Sequence, residues 1–357
     1  MIQAVHELLT EKIRESDIDS LLIANLPNVR YLTGFTGIFG FTAIGRNKSV
    51  FFTNPLYSEH ARSTISESFT VIEVKNDSFK AMADLGVSFW GERVGFEPES
   101  TTCSNFEKMK AAFEGIELVS TTGMVEELRL VKNSAEIESI TRAQRIAEEV
   151  LSDILVFIRE GMKERDIANE IDYRFRERGG ESSAFETIVA FGSNSSKPHS
   201  NPTEKTLKNG EIVLLDMGTI CDGYASDMTR TVVFGKADSK LKEIYSTVLE
   251  AQEAALNGIS SDMKCADVDN LARKVIESAG YGDNFVHSLG HGVGLEVHES
   301  PLISIRSETI LKKSSVVTVE PGIYIPGWGG VRIEDMVVIT DSGCKNITKA
   351  PKSLLEI

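Results

Sequence analysis

Five residues that carry charge or bind metals interrupt apolar, strand-like segments in the C-terminal part of this chain: Asp216, Asp227, His291, Glu320 and Glu334. In segments 212–218 and 316–322, for example, a carboxylate directly follows a run of apolar residues. Burying an unpaired carboxylate costs several kcal/mol or forces it to bind a proton, so the fold must supply positive charge. No lysine or arginine cluster lies nearby in the sequence. Four carboxylates and an imidazole are the ligands that a pair of divalent metal ions needs.

The size and charge of the chain narrow the class of protein. A chain of 357 residues suggests two domains, since a domain usually has roughly 100–200 residues. The net charge of −15 argues against a nucleic-acid partner. No segment has the roughly 18 apolar residues of a membrane span, and no basic leader with an apolar core precedes the first helix, so we expect no membrane association and a cytoplasmic location. The four cysteines form no CxxC pair, which is typical of a reducing compartment.

The first 125 residues alternate between strand and helix patterns. Apolar strand segments occur at 21–24, 41–44, 49–52, 69–72 and 94–96, and helical spacing occurs at 5–15, 58–65, 78–85 and 105–113. This alternation predicts an α/β domain with a mainly parallel or mixed sheet.

The pattern changes at residues 126–132, and we place the domain boundary between residues 125 and 126. Ser134 is expected to cap a long amphipathic helix. Further helices are expected at 163–178, 240–256 and 266–278, separated by strands with hairpin turns. The sequence therefore predicts an α+β domain over 126–357.

The first pair of carboxylates lies in a predicted hairpin. Strand patterns at 211–220 and 224–234 flank Asp222 and Gly223, and Asp-Gly is a strong hairpin signal. We expect Asp216 and Asp227 to lie roughly opposite each other. Like charges across a ladder are destabilising without a cation between them.

The second pair follows the same logic. Segments 316–325 and 331–340 flank the glycine-rich turn 326–330, which brings Glu320 close to Glu334. For either hairpin taken alone, a structural role for the acids is an equal alternative to metal binding. Two such hairpins together with a histidine favour a metal site.

Three of the six histidines fall within one segment: His287, His291 and His298. The glycines between them are expected to let the backbone pass close to a ligand or metal, where a Cβ would obstruct it. His199 lies in a loop whose local sequence favours neither a functional nor a structural role.

The order Asp, Asp, His, Glu, Glu, carried in LLDMG, SDMTRT, HSLGHGVGLEVHE, VEPG and VRIEDM, resembles the pita-bread metallopeptidases. Within that family it is most similar to prolidase (Xaa-Pro dipeptidase) and aminopeptidase P. The N-terminal segment NVRYLTGF and the junction LRLVK also match. The resemblance implies a creatinase/prolidase-like α/β domain over 1–125, a pita-bread catalytic domain over 126–357, and a homodimer.

The resemblance also implies two divalent ions per subunit, Mn²⁺ or Co²⁺, with Zn²⁺ or Fe²⁺ as alternatives. Asp216 would bind one ion and His291 the other. Asp227 and Glu334 would bridge the ions, and Glu320 would complete the ligand set of the second. A bridging water that loses a proton near neutral pH would be the nucleophile. Glu320 would carry a proton from that water to the leaving nitrogen.

Three histidines match family positions around such a site. His199 and His298 match histidines that hydrogen-bond the substrate and stabilise the tetrahedral intermediate. His287 matches a further position, with a packing role as the alternative.

Three more side chains are candidates to support the ligands. Arg332 shares a strand face with Glu334, where it would orient a bridging carboxylate, hold a substrate carboxylate or form a structural ion pair. Tyr224 and Thr229 lie on the hairpin that carries the two aspartates. They are candidates to contact the metal ligands and orient them without binding an ion themselves.

The resemblance implies hydrolysis of the Xaa-Pro bond of dipeptides or short peptides with proline in second position. Aminopeptidase P activity on longer peptides is the alternative. A methionine-type aminopeptidase is disfavoured by the N-terminal domain, and a non-catalytic peptide-binding module by the complete ligand set. An apolar wall for the proline ring would come from Phe185, Ile188, Phe191, Tyr324 and Trp328.

Overall fold

The chain divides into two units in this computed structural model, Met1–Arg129 and Leu130–Ile357. The structure describes residues 2–46 and 48–357. The first unit includes Arg129, which bonds to residues of that unit. Its Nη1 donates to Asn28 Oδ1 at 2.8 Å, and Asn28 Nδ2 donates to Glu126 Oε1 at 2.6 Å.

The first unit is built on a mixed six-stranded sheet in the order β4-β3-β2-β1-β5-β6. Pairs β1/β2 and β2/β3 are antiparallel, whereas β3/β4, β1/β5 and β5/β6 are parallel. The strands are β1 Ser20–Ile23, β2 Phe41–Ile44, β3 Ser49–Thr53, β4 Phe69–Glu73, β5 Arg93–Phe96 and β6 Glu117–Ser120.

Helices cover both faces of this sheet. Leu21 and Phe51 pack into one apolar cluster, while Leu22 and Phe52 pack into another, because successive strand residues point to opposite faces. The predicted α/β class is confirmed. The helices are α1 Ile2–Glu15, α2 Leu26–Thr33, α3 Ser58–Thr64, α4 Ser78–Ala83, α5 Val87–Trp90, α6 Cys103–Ala112 and α7 Glu126–Arg129.

The second unit contains antiparallel sheets. One has the order β11-β8-β7 and another the order β13-β12-β14-β17-β18, with the hairpins β9/β10 and β15/β16 beside them. The strands are β7 Ile188–Phe191, β8 Ile212–Met217, β9 Ile220–Cys221, β10 Tyr224–Ala225, β11 Met228–Val233, β12 Gly290–Gly292, β13 Glu299–Ile303, β14 Val316–Val319, β15 Gly322–Ile325, β16 Gly329–Arg332, β17 Asp335–Thr340 and β18 Gly343–Asn346.

Four helices pack against these sheets, which confirms the predicted α+β class. They are α8 Ser134–Phe157, α9 Glu164–Glu177, α10 Ser239–Gly258 and α11 Cys265–Ser278. The prediction that Ser134 caps α8 was wrong. Asn133 is the N-cap, since its side chain accepts from the backbone of Glu136, and the Glu136 carboxylate accepts from Asn133 N at 2.9 Å.

Strand alternation separates the apolar core from the face that carries the acids. In β8, Val213, Leu215 and Met217 join the core cluster formed with α8 and α9. Asp216 therefore points to the opposite face. In β14, Val317 and Val319 likewise pack in the cluster that contains residues of α10 and α11, which leaves the other face to Thr318.

None of the helices among the described residues is both long enough and apolar enough to cross a membrane.

Candidate active site

The two aspartates lie on one sheet face, but not directly opposite each other. The β8/β11 register pairs Asp216 with Thr229 and Met217 with Met228. Asp227 precedes β11, two residues from Thr229, and is therefore a diagonal neighbour of Asp216 on the same face. The expected Asp222–Gly223 turn does form, joining β9 to β10 with Asp222 at φ 50° and Gly223 at φ 78°. The prediction of opposed aspartates was wrong by this diagonal step.

The two glutamates lie opposite each other, just beyond the end of the β14/β17 ladder. β14 pairs with β17 through Val319 and Asp335, and Glu320 and Glu334 are the next residues on the two strands. Beyond the glutamates, the same two chain segments pair again as the β15/β16 hairpin, in which Gly322 pairs with Arg332. The ladder is thus interrupted where the glutamates lie, and both side chains line one cavity.

His291 lies at the centre of β12, which pairs with β13 and β14. Its glycine neighbours serve the packing of strands, and Gly290 also lines the cavity that contains the ligand groups. A Cβ on Gly290 would lie 2.1 Å from Thr318 O, and one on Gly292 would lie 2.1 Å from Ser300 O. Glycine at both positions lets β12 fit between its neighbours.

The geometry of His291 leaves one ring nitrogen available as a ligand. Nδ1 lies 3.1 Å from the carbonyl oxygen of Gly292 and can donate its proton there. Nε2 then faces Glu320 Oε1 at 3.2 Å and Asp227 Oδ2 at 3.5 Å. Burial lowers the pKa of His291, but the hydrogen bond and charge of Glu320 outweigh burial and raise it. Either a proton or a metal ion at Nε2 would satisfy this arrangement.

The five predicted ligands converge. Ligand-type atoms lie within 4.8 Å of one another in three overlapping groups, which are Asp216 with Asp227 and Glu334, His291 with Glu320 and Glu334, and Asp227 with His291 and His298. Glu334 belongs to two groups, and so does Asp227. Shared carboxylates of this kind suit two adjacent ions, for which hard oxygen donors with one imidazole fit Mn²⁺, Co²⁺, Fe²⁺ or Zn²⁺.

The charges of the cluster also favour a bound cation. Burial raises the pKa of Asp216, Asp227 and Glu334, and neighbouring carboxylates raise all three further. Burial acts the same way on Glu320, but the hydrogen bond and charge of His291 outweigh it and lower its pKa to about 2. Among the described residues, the buried Asp216 Oδ1 has no hydrogen-bond partner. A metal ion would neutralise this charge and occupy that oxygen.

Arg332 is buried and connects several parts of the site. Its Nη2 donates to Asp216 Oδ2 at 2.6 Å and its Nε to Thr229 Oγ1 at 2.9 Å. Thr229 in turn donates to Glu334 Oε2 at 2.7 Å. Arg332 therefore reaches Glu334 through Thr229, while it pairs directly with Asp216.

His287 joins this network through Tyr324. Its Nδ1 lies 2.7 Å from the carbonyl oxygen of Ser288, and its Nε2 lies 2.9 Å from the Tyr324 hydroxyl, which accepts from Arg332 Nη1 at 2.7 Å. Burial lowers the pKa of His287 and raises that of Tyr324 to about 12. A neutral imidazole with its proton on Nδ1 accepts from the tyrosine hydroxyl. The sequence missed this role of Tyr324, although an aromatic hydroxyl in a buried strand needs a partner.

His199 and His298 are exposed side chains that line the same cavity. The His298 ring lies 4.3 Å from the His291 ring, centroid to centroid. Burial and the charge of His291 lower the pKa of His298. In either protonation state the ring offers an N–H donor.

Other predicted residues lie elsewhere. Tyr224 does not line the cavity, and its hydroxyl lies 3.0 Å from Glu136 Oε1 at the start of α8. Phe191 is fully buried in the core, and Trp328 packs against another core cluster beneath Lys240. Tyr224 and Phe191 lie on strands, and the residue pattern did not reveal which face each side chain occupies; Trp328 lies in the turn between β15 and β16. The apolar part of the cavity comes from Phe185, Ile188, Pro198 and Leu302.

A buried group of carboxylates with one imidazole, open to a cavity lined by further histidines, is the kind of site that metal-dependent hydrolases use. The family model "Metallopeptidase family M24" matches residues 138–341, and "Creatinase/Prolidase N-terminal domain" matches residues 6–131. The chain belongs to metallopeptidase family M24. It is a metallopeptidase with a creatinase/prolidase N-terminal domain and a pita-bread catalytic domain.

Individual relatives match over nearly the whole chain. An uncharacterized peptidase of Bacillus subtilis (strain 168), YqhT, is 44% identical over 97% of this chain and 99% of its own. The structure of an Xaa-Pro dipeptidase from Bacillus anthracis is 39% identical, with a TM-score of 0.96 and full coverage of both chains. That of an X-Pro aminopeptidase from Thermotoga maritima MSB8 is 37% identical, with a TM-score of 0.87 over 95% of this chain and 98% of that one.

Proposed function

We propose that the chain is a dinuclear metal-dependent peptidase that hydrolyses the Xaa-Pro bond of dipeptides. The observation that carries this proposal is the overlap of the ligand groups, in which Glu334 is shared by Asp216 and Asp227 on one side and by His291 and Glu320 on the other. In the proposed site, Asp216 would hold one ion and His291 the other. Asp227 and Glu334 would be shared by both ions, and Glu320 would complete the second ligand set.

The ions, when bound, would polarise the scissile carbonyl and lower the pKa of a coordinated water. The chain's own residues then bind and orient the peptide and move protons. Glu320 lines the cavity, where its carboxylate can take a proton and return it to the leaving nitrogen. His199 and His298 offer N–H donors to the oxygen that gains charge in the tetrahedral intermediate.

Proline in second position accounts for the apolar part of the cavity. An Xaa-Pro bond has no N–H, so peptidases that hold the substrate backbone as an extended strand cannot use it. Phe185, Ile188 and Leu302 offer apolar contacts beside the ligand groups. These contacts suit a proline ring, which has no donor to satisfy.

The length of the substrate distinguishes two forms of this proposal. The likeness to the Bacillus anthracis dipeptidase, at a TM-score of 0.96, supports a dipeptidase. The likeness to the Thermotoga maritima aminopeptidase, at a TM-score of 0.87, supports activity on longer peptides as the second candidate.

We retain the homodimer and the cytoplasmic location as expectations from the family resemblance. Light scattering of the purified protein tests the homodimer.

A substrate panel tests the proposal. Metal-free protein is loaded with Mn²⁺ or Co²⁺ and assayed with Ala-Pro, Leu-Pro and Ala-Pro-Ala. We expect hydrolysis of the dipeptides, with Ala-Pro cleaved faster than Ala-Pro-Ala. Faster cleavage of the tripeptide would establish the aminopeptidase, and no cleavage of any peptide by metal-loaded protein would refute both forms.

A further inference from the structure

Glu164, the first residue of α9, is fully buried, and its carboxylate holds both ends of one loop. At the start of the loop, Phe191 N donates to Oε1 at 2.7 Å. At its end, Thr203 donates to Oε2 through its backbone N at 2.9 Å and also through its hydroxyl. Asn194 Nδ2 contacts both oxygens, at 3.0 and 3.1 Å. One side chain thus fixes the loop at its two ends and near its first turn.

The loop between these attachments carries His199 into the cavity. It begins with the 3₁₀ helix Gly192–Ser196 and continues through Pro198 and His199, both of which line the cavity. Within the described part of the chain, the His199 ring makes no hydrogen bond of its own. The backbone of the loop therefore sets the position of the imidazole.

The side of the loop that faces the ligand groups is attached to β16. Gly330 N donates to Ser195 Oγ at 2.8 Å, and Arg332 Nη1 donates to Pro198 O at 3.3 Å. These bonds relate the loop to the strand that ends at Arg332, but they do not hold its ends. Glu164 restrains both ends, together with Lys205 Nζ, which donates to Phe191 O at 2.6 Å, and Arg165 N, which donates to Thr203 O at 3.2 Å.

A carboxylate is the group that this position requires. Every partner of Glu164 is a donor, so two acceptor oxygens satisfy all of them, whereas an amide would turn an NH₂ group toward other donors. No described lysine or arginine pairs with Glu164, so these hydrogen bonds and its position at the N-terminus of α9 offset its burial. The stabilisation is thus concentrated on the loop that carries His199.

We propose that Glu164 is the positioning residue for His199, which holds the imidazole where it contacts the substrate. This inference rests on the proposed function, in which His199 stabilises the reacting carbonyl. Glu164 touches neither the substrate nor the ligand groups. Its effect on turnover passes through the loop, since small displacements of a catalytic group cost large factors in rate.

The test is a double-mutant cycle with Glu164→Gln and His199→Ala. We expect Glu164→Gln to lower kcat/KM for Ala-Pro by about 10- to 100-fold with two metal ions still bound. The same substitution should have little effect in the His199→Ala background, because the group that it positions is gone. Equal losses in both backgrounds would show a general structural role and overturn the proposal.

Glu97→Gln is a matched control. Glu97 is also buried, accepts from Ala24 N and Asn25 N at 2.7 Å each, and lies in the first unit. We expect this variant to keep kcat/KM within about 2-fold, because the described hydrogen-bond partners of Glu97 belong neither to the ligand groups nor to the loop 191–203. A loss equal to that of Glu164→Gln would show that any buried carboxylate has this effect and would contradict the proposal.

Hydrogen exchange separates this inference from the proposed function. Glu164→Gln should speed exchange of the amides in residues 191–203 and leave those around His291 unchanged, whether or not Ala-Pro is hydrolysed. If the wild type cleaves no Xaa-Pro peptide, the proposed function fails while the exchange result still decides the role of Glu164. Unchanged exchange in 191–203 would overturn the inference. If Glu164→Gln does not fold, Thr203→Val replaces it in these experiments. This substitution removes the Thr203 hydroxyl that donates to Glu164 Oε2, and the same outcomes decide the proposal.

Discussion

Arg332 Nη2 lies 2.6 Å from Asp216 Oδ2, and both side chains are buried. This ion pair occupies one oxygen of Asp216, while Oδ1 has no hydrogen-bond partner among the described residues. The guanidinium therefore orients the carboxylate and leaves its other oxygen free for a metal ion. The remaining nitrogens of Arg332 contact Thr229 and Tyr324, so one cation orders several side chains of the site.

Replacing Arg332 with lysine should weaken metal binding. Arg332→Lys keeps the charge, but an ammonium cannot contact Asp216, Thr229 and Tyr324 together. Partners behind metal ligands typically contribute about 10- to 100-fold to metal affinity, and we expect a loss of that size in a calorimetric Mn²⁺ titration. Arg142→Lys, which changes an exposed arginine paired with Asp222, should leave the affinity unchanged. Wild-type affinity in Arg332→Lys would contradict this role.

Thr229 should matter through its hydroxyl rather than its size. The hydroxyl accepts from Arg332 Nε and donates to Glu334 Oε2. Valine has a shape similar to that of threonine, but Thr229→Val removes the hydroxyl partner of Arg332 Nε and of Glu334 Oε2. Leaving a buried polar group unpaired costs about 1–3 kcal/mol for each group. We expect about a 10-fold or greater loss of kcat/KM, with activity largely retained in Thr229→Ser. Equal activity of the valine and serine variants would show that the hydroxyl has no such role.

The sequence predicted the elements of the fold better than their exact partners. Apolar runs such as 21–24 identified strands directly because burial on both sheet faces leaves a continuous apolar pattern. The helix Leu26–Thr33 was missed, since its short run contains proline and ends at Gly34. The cap of α8 was shifted by one residue because Asn133 and Ser134 are both favourable caps.

The candidate ligands could be recognised because charge in apolar strands needs compensation. Their pairing could not be derived in full, since a hairpin's register depends on hydrogen bonds around the turn that the residue pattern leaves open. Asp216 thus faces Thr229 instead of Asp227. The roles of Tyr324 and Glu164 depend on contacts between distant segments, which periodicity does not reveal.

The stability of the first unit should depend on the ionisation of Glu97. Burial raises the pKa of Glu97, with hydrogen bonds from Asn25 and Asn28 opposing this effect. When the pKa of a carboxyl is higher in the folded than in the unfolded state, its full contribution to folding stability is present at pH values below the unfolded-state pKa of about 4.5. That contribution is lost as the pH rises through the folded-state pKa. Glu97→Gln should therefore gain thermal stability relative to the wild type as pH rises above about 4.5. A stability difference that stays constant with pH would rule out this linkage.

Metal stoichiometry combined with turnover is the most direct test of the dinuclear site. Metal-free wild type and Glu334→Ala are titrated with Mn²⁺, and bound metal and Ala-Pro hydrolysis are measured on the same samples. We expect the wild type to bind two ions per chain, with activity rising as the second ion binds. Glu334→Ala, which lacks the carboxylate shared by two ligand groups, should lose metal and activity together. Saturation at one ion per chain, or normal turnover by Glu334→Ala, would contradict the account.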